Sequence, residues 1–266
     1  MYASSAPRAR NVIADLAARG RYHFNSSELR SALGVSGAAA RQALSRLAAK
    51  GEIASPARGF YVIVPPEYRR LGCLPADQFV PGLMEHRNVR YYVGLLSAAQ
   101  YHGAAHHRPQ EFQVVVERNR PPIACGAVRV AFVARRALDA VPVEHVNNPR
   151  GTVVVSTVEA TAVDLVGYMH RAGGLDRVAG VLSELGDEMD AKRLVEACES
   201  SSVLWAQRLG YLLEHVGAGE KAALLKQDVR RRARSFTKLL PGASSEDAPR
   251  SKAWRLFVNA SVEADL

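Results

Sequence analysis

Three observations predict an α+β chain. The first sixty-five or so residues run helix, helix, turn, helix, hairpin; β-rich runs broken by Pro and Gly follow between about 110 and 155; and the pattern from Leu175 onward is helical. The 266 residues allow one large or two modest domains. Hydrophobic residues at 48% and charged residues at 23% exclude a disordered chain. No apolar run approaches the ~18 residues that span a bilayer. The opening MYASSAPRAR lacks a signal-peptide hydrophobic region, so a cytoplasmic protein is expected. Cys73, Cys125 and Cys198 are widely spaced with no C-x-x-C pair, which predicts free buried thiols rather than a disulfide framework or a zinc site.

The elements follow in order. Pro7 to Arg19 carries Val12, Ile13, Leu16 and Ala17 at helical spacing and is closed by Gly20. A second helix begins near Asn25, a cap residue with Glu28 three positions on, and carries Leu29, Ala32 and Leu33 on its apolar face before Gly34 ends it. Ser36 caps a third helix from about Gly37 to Lys50. The period then changes: Glu52 to Ser55 and Phe60 to Val64 read as strands about a Pro56-Ala57-Arg58-Gly59 turn, and Pro65-Pro66 closes the unit. This is the order of a winged helix-turn-helix domain, placed at residues 1–70. Residues 71–266 form the second domain, strand-containing over about 71–170 and helical over about 171–266. Helices are expected at 76–87, 92–103, 157–169, 175–185, 190–199, 203–216 and 219–234. Strands are expected at 112–117, 128–134 and 152–155, and a polar loop after Pro241 precedes a last apolar piece at 254–258.

The net charge of +9 is unevenly placed. Residues 1–70 hold eleven basic and four acidic residues, 71–170 nine and eight, and 171–266 fifteen and fourteen. A basic local domain on a near-neutral remainder suits phosphate neutralisation by the first segment. On a helical wheel of the third helix, Ala40, Ala43, Leu44 and Leu47 share one face; Ala38, Arg41, Gln42, Ser45 and Ala49 share the other, with Arg46 at the border. Small residues let a helix approach the major-groove floor, where Arg pairs with guanine and Gln with adenine. Ser36, Arg41, Gln42, Ser45 and Arg46 are therefore the expected base and phosphate contacts, Arg58 the wing contact, and Arg8 and Arg10 phosphate contacts from the leading arm.

The chain resembles the AbiEi family of antitoxins of type IV (abortive infection) toxin–antitoxin systems. In the first domain the resemblance rests on Ala40-Arg41-Gln42-Ala43-Leu44-Ser45-Arg46-Leu47, on Lys50-Gly51-Glu52-Ile53 and on Arg58-Gly59-Phe60-Tyr61-Val62. More specific are the runs from Tyr92 to Ala104, from Ser156 to Leu165 and from Ala206 to Glu214. The resemblance implies a winged helix that binds inverted repeats in the promoter of its own operon and represses it. It also implies a C-terminal domain that neutralises a nucleotidyltransferase-like toxin, without requiring a tight complex.

No enzyme chemistry is legible. His102, His106 and His107 lack a carboxylate or Cys at ligand spacing, so helix-end polar contacts are expected rather than a metal site. Glu159 reads as the capping-box partner of Ser156, and neither a nucleophile elbow nor a phosphate loop is present. No catalytic residue, metal or cofactor is expected. A nuclease-like second domain would need acidic and Lys side chains together. Only Glu111, Glu117, Glu144 and Glu159 are near the strands, and no lysine lies between Lys50 and Lys192. A stand-alone regulator whose second domain only oligomerises is the other alternative. The run Arg230-Arg231-Arg232-Ala233-Arg234 reads as a helix C-terminus, a second DNA contact or a patch for an acidic partner.

Overall fold

The computed structural model describes residues 8–104 and 109–263. Among them the chain forms two compact units, the first from residues 8–91, 110–134 and 145–154, the second from 92–104, 109, 135–144 and 155–263. His106 and His107 lie outside the described residues.

The first unit opens with α1 (Ala9–Ala18), β1 (His23–Asn25), α2 (Ser26–Leu33), α3 (Gly37–Ala49), β2 (Ile53–Ala57) and β3 (Phe60–Ile63). The three strands form an antiparallel sheet in the order β1-β3-β2, with His23 opposite Val62. The helices bury Ile13, Leu29, Leu33, Ala43, Leu44 and Leu47 against Phe24, Ile53 and Ile63 of that sheet. Local chemistry fixes the joints. Asn25 accepts from the Glu28 amide at 2.9 Å while Glu28 accepts from the Asn25 amide at 2.8 Å, a complete capping box. Gly34 sits at φ +64°, the left-handed conformation that ends α2 and turns the chain into α3.

The other face of the small sheet is also covered. Phe60, Val62 and Val64 join one apolar core with Phe79, Val80, Leu83 and Met84 of α4 (Ala76–His86) and with strands of a larger sheet. Gly82 of α4 allows His23 of β1 to pack flat on the helix, since a Cβ there would fall 2.6 Å from the imidazole ring. The winged segment is thus fastened to the unit by a buried face.

The larger sheet contains β4 (Tyr91–Val93), β5 (Phe112–Val116), β6 (Ile123–Cys125), β7 (Val128–Ala134), β8 (Val143–Asn148) and β9 (Gly151–Ser156), in the order β6-β7-β5-β4-β9-β8. Strand β5 runs parallel to β7, and β6 and β7 form an antiparallel hairpin. Three sequence expectations change here, the first being β6, a three-residue strand absent from the expected set. Tyr91-Tyr92-Val93 is a strand, where helix was expected from 92; aromatic and β-branched residues suit a buried strand better than a helix start. Strand β8 was not anticipated, because its side chains are exposed or half-buried and show no hydrophobic alternation. Cys73, Cys125 and Cys198 are free and buried, and the first two, distant in sequence, share one core.

The second unit is mainly helical: α5 (Leu95–Tyr101), α6 (Val158–Gly167), α7 (Leu175–Leu185), α8 (Ala191–Glu199), α9 (Val203–His215) and α10 (Ala223–Arg232). Helix α6 is buried on every side from Glu159 to Val166 because α5, α7, α8 and α9 surround it. A last sheet of two-residue strands, β10 (Thr237–Lys238), β11 (Arg250–Ser251) and β12 (Leu256–Phe257), has the order β10-β12-β11. Among the described residues no helix is long and apolar enough to cross a membrane.

Candidate nucleic-acid interface

Helix α3 separates its residues as its periodicity dictates. Ala40, Ala43, Leu44 and Leu47 are buried, whereas Ala38, Arg41, Gln42, Ser45, Arg46 and Ala49 are all exposed. Ser36 is its N-cap, with the hydroxyl accepting from the Ala39 amide at 3.3 Å. The side chains of Arg41, Gln42, Ser45 and Arg46 are engaged by no other described side chain. The helix therefore offers two guanidiniums, an amide and a hydroxyl beside small residues, a donor set suited to base edges and phosphates.

The wing is tighter than the sequence suggests. Ala57 pairs with Phe60, leaving a two-residue turn of Arg58 and Gly59, the glycine at φ +78°. The Ser55 hydroxyl donates to the carbonyls of Ala57 at 3.0 Å and Phe60 at 3.1 Å and holds that turn. Pro56 falls where the β2–β3 register shifts, a bulge on an edge strand that tolerates its missing N–H. Arg58 is exposed at the tip while Ala57 and Phe60 on either side are buried, so it is the turn side chain that reaches outward.

Arg8 is exposed immediately before α1. Arg10 is also exposed, but its guanidinium is paired with Glu52, with Nε donating at 3.2 Å. Arg30 of α2 and Lys50 at the end of α3 are exposed too, without a described partner. Neither was among the contacts expected from the sequence.

The C-terminal motifs resolve into buried architecture. Tyr92 donates its hydroxyl to Asp164 at 2.7 Å, and Arg135 pairs with the other oxygen of that carboxylate. Burial raises the Asp164 carboxyl pKa, opposed by Arg135 and by the Tyr92 hydrogen bond; burial pushes the Tyr92 hydroxyl up, keeping it a donor. Arg135 also donates to the hydroxyls of Ser200 at 2.9 Å and Ser201 at 2.7 Å. Helix α6 is capped by Thr157, one residue later than expected, and Glu159 is no capping-box partner. It is buried and accepts from the Asp190 amide at 3.0 Å, tying α6 to the start of α8.

In the Ala206–Glu214 run, Gln207 donates to the carbonyls of Ser235, Trp254 and Arg255, and Arg208 to that of Lys238 at 2.8 Å. Gly210 leaves room for the Trp254 ring, whose indole N–H donates to Glu214 at 2.7 Å. These residues hold the terminal sheet in place.

His102 ends α5, with Nε2 at 2.7 Å from the Ser156 carbonyl and Nδ1 at 3.7 Å from Glu144. Among the described residues no three His, Cys, Asp or Glu side chains are placed to hold a metal ion.

A winged helix with an exposed polar face on α3, followed in the chain by a mainly helical unit held by buried polar contacts, defines the winged-helix class of fold. Residues 11–64 match the family model described as transcriptional regulator, AbiEi antitoxin, and residues 92–215 match the AbiEi antitoxin C-terminal domain. The chain belongs to the AbiEi antitoxin family. Its fold is similar to that in the crystal structure of the RV2827C protein from Mycobacterium tuberculosis, with a TM-score of 0.66 at 18% identity over 94% of this chain and 92% of that one. Among curated proteins, none matches the chain.

Proposed function

We propose that this antitoxin and transcriptional regulator binds duplex DNA through α3 and the wing. On this reading it represses its own toxin–antitoxin operon at inverted repeats and neutralises a nucleotidyltransferase-like toxin through the second unit. The observation that carries the DNA half is the division of α3: four apolar side chains buried, and Arg41, Gln42, Ser45 and Arg46 exposed without described partners. Arg41 and Gln42 take base edges, Ser36, Ser45 and Arg46 share base and phosphate contacts, and Arg58 reaches the flanking groove or backbone. Arg8 and Arg10 approach phosphates from the start of α1, the latter through the guanidinium surface that Glu52 leaves open. The winged segment, within residues 1–70, thus serves DNA, and residues 71–266 carry the antitoxin role together with the scaffold that holds the wing. The toxin's class, and action on it without a tight complex, rest on the family resemblance, as does the choice of the chain's own promoter.

Glu159 and Glu117, two of the four carboxylates near the strands, face other groups of the chain, which favours binding over cleavage. Glu159 is committed to the Asp190 amide, and Glu117 lies 3.8 Å from Arg90. Footprinting on the chain's own promoter tests the proposal. Two protected half-sites one helical turn apart, or a multiple of it, are expected. Absence of protection, or cutting of the DNA when a divalent metal is added, contradicts it.

A further inference from the structure

The near-zero charge of residues 171–266 is an average over two opposed parts. Residues 228–257 hold eight basic and three acidic side chains, while 171–227 and 258–266 together hold seven and eleven. The positive stretch comprises the end of α10 and the sheet β10-β12-β11.

Ion pairing does not absorb it. Asp228 is buried and takes Arg231 at 2.8 Å and Arg232 at 2.9 Å. Arg230, Arg234 and Lys252 are exposed and form no ion pair with a described residue. In the same stretch of chain two aromatic rings meet, Phe236 and Phe257, with centroids 5.4 Å apart. The Arg250 guanidinium lies 5.7 Å from the first ring and 5.1 Å from the second. Phe236 is 37% exposed and is the one aromatic among the five exposed large hydrophobics of the described residues. The support is rigid, because Gln207 and Arg208 bind the backbone on both sides of Phe236 and Trp254 is wedged against Gly210.

We infer that this surface of the second unit binds single-stranded nucleic acid, with Arg230 and Arg234 on phosphates and the Phe236–Phe257 pair beneath an unpaired base. Free guanidiniums beside an exposed ring are the elements of a stacking platform in a cationic setting. A duplex keeps its bases inside and has no use for the rings. A stable protein partner needs about 800 Å² on each side around an apolar core, and one partly exposed ring with a half-buried neighbour does not provide that core. The inference stands apart from duplex reading by α3.

The test uses the full chain and a fluorescently labelled, mixed-sequence single-stranded RNA of about 12 nucleotides, within the usual site size. Phe236→Ala weakens binding about 5- to 150-fold, the range for loss of one stacked base. Phe236→Leu, which keeps apolar area but cannot stack, is weakened similarly, and Phe236→Tyr binds like the parent. Arg230→Ala with Arg234→Ala lowers the slope of log affinity against log salt by roughly 1.4, two phosphates at ~0.7 each. Arg41→Ala leaves this binding unchanged. All these side chains are exposed, so thermal melting should match the parent. The inference is overturned if affinity survives both the Phe236 and the double arginine changes, or if Arg41→Ala alone abolishes it. It is equally overturned if Phe236→Leu binds like the parent while polyglutamate competes as well as RNA; the surface then takes an acidic protein.

Discussion

Arg41 and Arg135 are the same residue type in opposite circumstances. Arg41 stands on α3 in water with no described partner, backed by Ala40 and Leu44 in the core. Arg135 is 4% exposed, paired with a fully buried Asp164 and bonded to two serine hydroxyls, with its guanidinium 5.4 Å from the Trp205 ring. The first arginine contributes almost nothing to folding and is available to a ligand; the second is unavailable to any ligand and holds helices together. Exposure and pairing, not residue type, divide the cations of this chain into binding groups and structural ones.

Breaking the buried side of this contrast gives the largest expected effect. Asp164→Ala leaves Arg135 charged and uncompensated in the interior and should cost about 3–5 kcal/mol in denaturant unfolding, whereas Arg41→Ala stays within about 0.5 kcal/mol. Equal losses from the two would remove the distinction. Gly210→Ala comes next: the new methyl would fall 2.0 Å from the Trp254 ring, and overpacking of this kind costs about 1–3 kcal/mol. A melt unchanged from the parent would show that the terminal sheet is not fastened through that contact.

On the first unit, Asn25→Ala removes half of the capping box and should cost about 0.5–2 kcal/mol without altering residues on the reading face. Comparison of stability with operator affinity at saturating folding checks this. The smallest effect concerns pH. Burial, with Arg21 nearby, holds the His23 imidazole below its ordinary 6.5, while Glu85 and Glu28 act in the opposite sense. The folded state thus prefers the neutral ring, so its contribution is intact above about pH 6.5 and declines as the pH falls below that value. Unfolding curves at pH 7.5 and 5.5 should differ less for His23→Gln than for the parent; identical differences would exclude His23 as the source.

The contrast also explains what the sequence made legible. Helix α3 was readable residue by residue, because helical periodicity, Gly34 and the Ser36 cap are local signals and solvent covers the opposite face. The ion pair of Arg135 with Asp164 joins positions 29 apart, and Tyr92 reaches the same carboxylate across 72, so no local pattern announces either. The capping box of Ser156 with Glu159 gives way to a Thr157 cap, because the Glu159 side chain is buried and taken by the Asp190 amide, 31 positions away. The arginine run at 230–234 was ambiguous for the same reason: only the fold shows that Asp228 claims Arg231 and Arg232 and leaves Arg230 and Arg234. Strands of two residues, such as β10 and β12, are too short for any periodicity to appear.

Duplex reading by α3 and the wing is tested most directly by the salt dependence of binding to the promoter duplex. Arg41→Ala and Arg58→Ala are compared with the parent, with the Arg230→Ala, Arg234→Ala pair as control. Each loss of a phosphate contact should flatten the slope by ~0.9. The expected result is a weaker, flatter dependence in Arg41→Ala and Arg58→Ala and the parental line in the control. Parental slopes and affinities in both single variants would contradict it.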